Sequence, residues 1–335
     1  MNLITGATGI VGSHVLAELL KTNQKCLALY RKETRKQRTQ NYLQLLGFSP
    51  ELIEQQIHWK AADLFDPAAL EQAFEGVKRV FHCAARVAFA PSEDQAVLET
   101  NIKGTTLMVD LALKHKIEKF AFVSSIAALG SLDGGMLNEK SQWNPEATQT
   151  AYAWSKYLSE MEVWRGQEEG LDCVIVNPGI ILTDAFWRRS SGAFTQRAKK
   201  QNSFYPPAQT GFVTATEVAR AITTLMSSKI QGERFILVTV NKTYKEIFTA
   251  LAAPWGHQGP RKRLQKFWLW IFYYGEYLLG IFKLKKRVLS KGLIANLFST
   301  ASYDGSKIEQ MSDFRYTPWG ESIQLLNSRA NWGKS

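Results

Sequence analysis

Cysteine is scarce in this chain, with three in 335 residues, and Cys26, Cys83 and Cys173 each sit inside an apolar run that reads as a strand. That placement excludes a disulfide framework and a paired-thiolate metal site, leaving reduced, buried thiols of the kind found in the cytosol. Long apolar runs are missing as well: no stretch of about 18 uncharged apolar residues offers a membrane span. There is no His-Glu-x-x-His, no metal-spaced cysteine pair and no Gly-x-Ser-x-Gly elbow, which disfavours metal-assisted hydrolysis and acyl transfer. Glycine-rich sequence of the phosphate-binding kind begins within six residues of Met1, leaving no room for a signal peptide. The expectation is a cytoplasmic protein without a bound metal.

Acidic residues are in deficit too. Against 30 Asp and Glu stand 41 Lys and Arg, a formal charge of +11. Much of the excess lies in the runs 31–38, 261–266 and 283–287. None of these carries a finger, a basic zipper or an RNP-like strand, so solvated basic faces are expected and nucleic acid is not an expected partner.

With 45% hydrophobic side chains, the chain can bury a large core and form one large or two interlocked domains. Apolar runs at residues 2–5, 25–30, 57–62, 79–83, 120–124 and 172–176 alternate with helical spacing at 13–21, 67–74, 98–114 and 151–167. Continuous apolar strands interleaved with helices predict an α/β fold, a doubly wound Rossmann parallel sheet covered on both faces. After about residue 180, at Trp187-Arg-Arg, the rhythm breaks. A helix at 215–227 and a strand at 234–239 follow. The division expected is a dinucleotide-binding domain over 1–180, to which 211–240 returns, and a smaller, mostly helical substrate-binding part from 181–210 and 241–335.

Gly6, Gly9 and Gly12 lie three apart in Thr5-Gly-Ala-Thr-Gly-Ile-Val-Gly12. Between a strand and a helix, such a turn lets the backbone and the helix N-terminus approach a pyrophosphate, with Thr8, Ile10 and Val11 at the contact. The second strand ends in Tyr30-Arg-Lys32, without an acid to accept from ribose hydroxyls. Arg31 and Lys32 instead suit a 2′-phosphate, so NADP is favoured, with NAD as the alternative. Asp63, with Leu64 beside it, is placed to accept from the adenine amino group or to cap the next helix.

Further along stands Tyr152-Ala-Trp-Ser-Lys156. Residues four apart share a helix face, so the phenol and the ammonium project together, and a nearby cation favours phenolate. Ser124 and Ser125 end the fifth strand, and Ser125 is taken as the hydroxyl that meets a substrate oxygen. The scattered histidines, His14, His82 and His115 among them, read as structural.

Taken with His82-Cys-Ala-Ala85, Asn101-Ile-Lys-Gly-Thr105, Asn177-Pro-Gly179, Tyr303-Asp-Gly-Ser-Lys307 and Phe314-Arg-Tyr-Thr-Pro318, these motifs resemble the extended short-chain dehydrogenase/reductases. The branch they resemble includes dihydroflavonol reductases and 3β-hydroxysteroid dehydrogenases. The resemblance implies that Tyr152 is the acid or base. It implies that Lys156 bonds the nicotinamide ribose and lowers the tyrosine pKa, and that Ser125 orients the carbonyl. By the same resemblance Ala84 and Ala85 lie along the cofactor, Asn101 braces strand and helix, and Pro178 and Gly179 contact the nicotinamide end. Many relatives have Arg or His where Asn177 stands, and Arg86 is also uncommon, suited to a substrate anion or to a surface ion pair.

Residues 267–282 (FWLWIFYYGEYLLGIF) are dense in aromatics, carry one acid, Glu276, and have basic flanks. A lid or core helix over an apolar cavity is the favoured reading. Peripheral membrane contact and a homodimer interface are the others. The function expected is NADP-dependent reduction of an aldehyde or ketone on a fairly large apolar small-molecule substrate. A nucleotide-sugar epimerase or dehydratase with bound NAD, and a catalytically silent dinucleotide sensor, are the rivals.

Overall fold

The computed structural model describes residues 1–130, 135–184, 192–201, 203–281, 287–329 and 332. Trp187-Arg-Arg and residues 283–286 of the last basic run lie outside the described residues. Seven parallel strands form the central sheet: β1 (Asn2–Thr5), β2 (Cys26–Tyr30), β3 (Ile57–Ala61), β4 (Arg79–His82), β5 (Lys119–Val123), β6 (Cys173–Pro178) and β7 (Glu233–Leu237). Their order is β7-β6-β5-β4-β1-β2-β3. The doubly wound α/β sheet expected from the sequence is thus present.

Successive strand residues face opposite sides, and both sides are apolar because helices cover both. Ile4, Phe81, Val174 and Phe235 join one core cluster. Leu3, Val80, Phe120 and Ile175 join the other. Each such fully buried side chain contributes about 1.5–3 kcal/mol of transfer free energy.

The helix in the first basic run was not foreseen. The basic run 31–38 reads as an open solvated face, yet Glu33–Leu45 is a helix starting directly after Arg31 and Lys32. Its buried residues are Thr39, Tyr42 and Leu43, spaced three and four apart as a narrow stripe that the surrounding charge masks.

A second, three-stranded sheet joins Ile180–Leu182, Gln209–Thr214 and Val240–Thr243. Gly179 lies where the chain passes between the two sheets, and a Cβ there would come within 2.4 Å of the Gly211 carbonyl oxygen. Glu217 ties the parts together. It closes a capping box with Thr214 and accepts from Thr239 Oγ1 at 2.9 Å and from the Thr317 N–H at 3.1 Å.

β1 has β2 on one side and β4 on the other, so the chain leaves the sheet in opposite directions from neighbouring strand ends. Open α/β sheets bind ligands in the crevice this creates, beyond the carboxyl ends of the strands. A depression of about 870 Å³ lined by Leu19, Arg79, Met226 and Ser312 opens at the amino ends instead, far from that crevice.

Candidate active site

β1 delivers the chain to the crevice at Thr5, and the turn that follows is as tight as backbone permits. Gly6 has φ +64°, and a Cβ on it would stand 2.7 Å from the Cα of Ala84. At Gly12 a Cβ would fall 2.3 Å from the Gly6 carbonyl oxygen. The Gly9 N–H closes the turn on that oxygen at 2.8 Å. Helix Ile10–Lys21 then starts with no side-chain cap and no acid in its first turn, so among the described residues no side chain of that turn occupies its leading N–H groups. That donor set, with Thr8, Ile10 and Val11 around it, fits a dinucleotide pyrophosphate.

The loop after β4 is held beside this turn by three hydroxyl and imidazole contacts. Thr5 Oγ1 meets His82 Nδ1 at 2.7 Å and accepts from the Ala84 N–H at 3.2 Å, while His82 Nε2 meets Thr105 Oγ1 at 3.2 Å. Burial pushes the His82 pKa down to about 3, so the ring stays neutral and the histidine is structural, as expected. Ala84 and Ala85 therefore line the crevice opposite the glycine turn.

At the outer edge, Arg31 and Asp63 end neighbouring strands and form an ion pair at 3.4 Å, both side chains about half exposed. Asp63 Oδ1 accepts from the Phe65 N–H, and it is Asp66 that caps the next helix. Lys32 is the residue preceding helix Glu33–Leu45. Leu64 packs towards Gly104 of helix Asp94–Lys114.

The catalytic candidates come together across β5 and helix Ala151–Glu168. The Ser125 hydroxyl lies close enough to the Tyr152 phenol to work towards lowering its pKa, and the phenol ring lies edge-on to Phe89 at 5.6 Å. Lys156 Nζ donates to the Val123 carbonyl at 2.7 Å and sits 4.8 Å over the Phe122 ring. Asn101 donates to Ser155 Oγ at 2.8 Å, accepts from the Arg86 N–H and donates to the Arg86 carbonyl. It thereby fastens the helix to the loop carrying Ala84 and Ala85. Pro178 closes β6 and is buried. Arg86 itself pairs with Glu93 on the surface.

One expectation needs correcting. Lys156 was expected to lower the Tyr152 pKa, but burial pushes the phenol up to about 12, and only the Ser125 hydroxyl works against that. Lys156 is drawn the other way, to about 8, by burial first, with Glu160 partly restoring it. Two groups desolvated in one apolar site each favour the neutral form.

Glu160 and Phe89 escaped the sequence reading, and the contact made by Asn177 was left open there. Glu160 is fully buried, one turn beyond Lys156. Arg234 Nη1 of β7 approaches its Oε2 at 3.4 Å, and Asn177 Nδ2 donates to Oε1 at 2.5 Å. Asn177 Nδ2 also reaches the Ser125 carbonyl at 3.0 Å. The uncommon Asn177 thus links the serine backbone to the acid beneath the lysine. The repeat of Tyr152, Lys156 and Glu160 every fourth residue was the available signal for Glu160. Nothing in the linear sequence joined it to Arg234.

Fold and glycine turn together define an NAD(P)-dependent oxidoreductase of the extended short-chain dehydrogenase/reductase class. The sequence profile of the NAD-binding family described as male sterility protein matches residues 4–227, and the chain belongs to that family. Among its relatives, sterol demethylase protein B of Methylococcus capsulatus is 28% identical over 261 residues, covering 77% of this chain and 76% of that one. A putative dihydroflavonol 4-reductase of Synechocystis is 32% identical over 176 residues, covering 52% of this chain and 47% of that one. The structure of a UDP-glucose 4-epimerase from Thermotoga maritima superposes with a TM-score of 0.74 over 98% of each chain at 19% identity, which shows the shared fold.

Proposed function

We propose that this protein reduces an aldehyde or ketone on a fairly large apolar substrate with NADPH. Residues 1–180 and 211–240 would hold the cofactor, and residues 181–210 and 241–335 the substrate. The observation that carries this reading is the gathering of Ser125, just past the carboxyl end of β5, with Tyr152 and Lys156, whose ammonium is fixed on the Val123 carbonyl two residues before the serine.

Bound NADPH supplies the hydride. Tyr152 holds the proton that the carbonyl oxygen receives, and its phenol, pushed up to about 12, keeps that proton until a substrate draws on it. Ser125 donates a second hydrogen bond to the same oxygen, stabilising the charge that develops there. Lys156, at about 8, is mostly protonated near neutral pH, and its charge supports the phenolate left after transfer. Phe89 beside the phenol excludes water from one side. General acid catalysis of this kind contributes about 10²–10⁴-fold.

Arg31 supports NADPH over NADH. A 2′-phosphate would replace Asp63 as the partner of its guanidinium, a bidentate contact worth more than an exposed ion pair. The nucleotide-sugar epimerase and the silent sensor gain no specific support from the site. A pure sensor has no use for Ser125, Tyr152 and Lys156 as a set.

Titrating the protein with NADPH and NADH, then following loss of reduced-cofactor absorbance with aldehydes, ketones and sugar nucleotides, tests the reading. Turnover of an apolar carbonyl with NADPH is expected. Turnover confined to sugar nucleotides with tightly retained NAD would overturn it.

A further inference from the structure

Helix Lys266–Ile281 is built inside out. Phe267, Trp268, Ile271, Phe272, Tyr274, Tyr277 and Leu279 are exposed, Phe267 at 67% and Phe272 at 62%, whereas Tyr273 is only 8% exposed. At about 100° per residue these exposed positions sweep one broad arc, with Leu269, Tyr273 and Glu276 opposite. The single acid of the segment faces inward, where Glu276 Oε2 accepts from the N–H groups of Val288 and Leu289 at 2.9 and 3.0 Å. Arg287 stacks 5.2 Å from the Tyr273 and Tyr277 rings and completes the inner contact. The helix is therefore neither core nor, on its outer face, a lid closed on this chain. A continuous apolar face of this kind on a protein surface marks a binding surface.

Its surroundings select the occupant. Arg261, Lys262, Arg263 and Lys266, all exposed, crowd its amino end, and Lys291 follows its carboxyl side. Among the described residues none of these five forms a salt bridge with an acid. A second copy of this chain, itself +11 in net charge, would bring like charges towards this rim, whereas an anionic bilayer offers phosphates to the cations and an interface suited to Trp and Tyr rings. The 16-residue helix is about 24 Å long, short of the roughly 30 Å of a hydrocarbon core, so it would lie along the surface.

We propose that this face docks the protein on anionic membrane surfaces, with the aromatic side chains entering the headgroup region and the flanking cations resting on lipid phosphates. The proposal stands independently of the reductase reading.

The full chain is to be sedimented with vesicles of phosphatidylcholine alone and of phosphatidylcholine with about 30% phosphatidylserine. Binding only to the anionic vesicles is expected, weakened at least about tenfold by about 0.5 M salt. The paired exposed-face variant Trp268→Glu/Phe272→Glu is expected to abolish it while leaving circular dichroism and NADPH binding unchanged. Arg261→Gln/Lys262→Gln/Arg263→Gln, which spares the aromatic face, is expected to reduce it about tenfold or more. No sedimentation with anionic vesicles, or equal sedimentation of the Glu variant, overturns the proposal. So does a solution dimer that the same Glu pair dissociates, which assigns the face to a second copy.

Discussion

The glycine turn and helix Lys266–Ile281 break the usual rules of sequence placement in opposite ways. Around the turn and the catalytic helix, five polar side chains lie inside and are paired: Thr5, His82, Asn101, Ser155 and Glu160 are all buried and all hydrogen-bonded. On the helix, apolar rings lie outside and face solvent. The first region concentrates free energy in geometry, since a buried polar group left unpaired costs about 1–3 kcal/mol. The second leaves apolar area open to water, where each ring adds little to the stability of the free chain. Departures from ordinary burial therefore mark both ends of the molecule's chemistry, one set by enclosed hydrogen bonds and the other by what the chain meets.

Substitutions can break this contrast, and the largest effect belongs to the enclosed region. Tyr152→Phe is expected to lower kcat by about 10³-fold while the NADPH dissociation constant stays unchanged; a rate within a factor of a few of the parent removes the proton-transfer role.

Acid comes next. Burial holds His14 at about 4 and His82 at about 3, both below the value in an unfolded chain. The unfolded state therefore binds protons first, and the contribution of these neutral rings to stability is lost as pH falls from about 6.5 towards 4. The expected slope is up to about 2.7 kcal/mol per pH unit for the two rings together. Urea unfolding at several pH values reads it, and a flat profile over that window contradicts the buried, neutral assignment.

Gly12→Ala places a methyl group against the Gly6 carbonyl oxygen and is expected to cost about 1–3 kcal/mol of stability. It should weaken both dinucleotides together, as isothermal titration would show. Arg31→Ala sharpens the contrast within the cofactor site. NADPH is expected to bind about 10–100-fold more weakly, with NADH little changed, and equal losses for the two would break the 2′-phosphate assignment. The smallest effect belongs to the outward helix. Trp268→Ala is expected to shift unfolding free energy by less than about 0.5 kcal/mol, so a loss of several kcal/mol would show that this face packs against the chain after all.

Much of this was legible in the sequence because it depends on local rules. Most of strands β1 to β6 announce themselves as short apolar runs, and the spacing of Gly9 and Gly12 from Gly6 is dictated by contacts among residues a few positions apart, although Gly6 also closes against Ala84. Tyr152 and Lys156 fall on one helix face whatever the rest of the chain does. Helix Glu33–Leu45 was hidden because its buried stripe is only Thr39, Tyr42 and Leu43, and the direction of the Tyr152 pKa shift was misjudged because desolvation cannot be read from spacing.

The linear chain fixed the sheet, the glycine turn and the helix carrying the phenol and ammonium, since each follows from periodicity and backbone sterics over short distances. Tertiary structure alone decided that Asn177 joins the Ser125 carbonyl to Glu160, that Arg234 stands beside that buried acid, and that the aromatic helix turns its rings outward. Those outcomes depend on which residues distant in sequence are brought together, and on how much water that leaves around each charge.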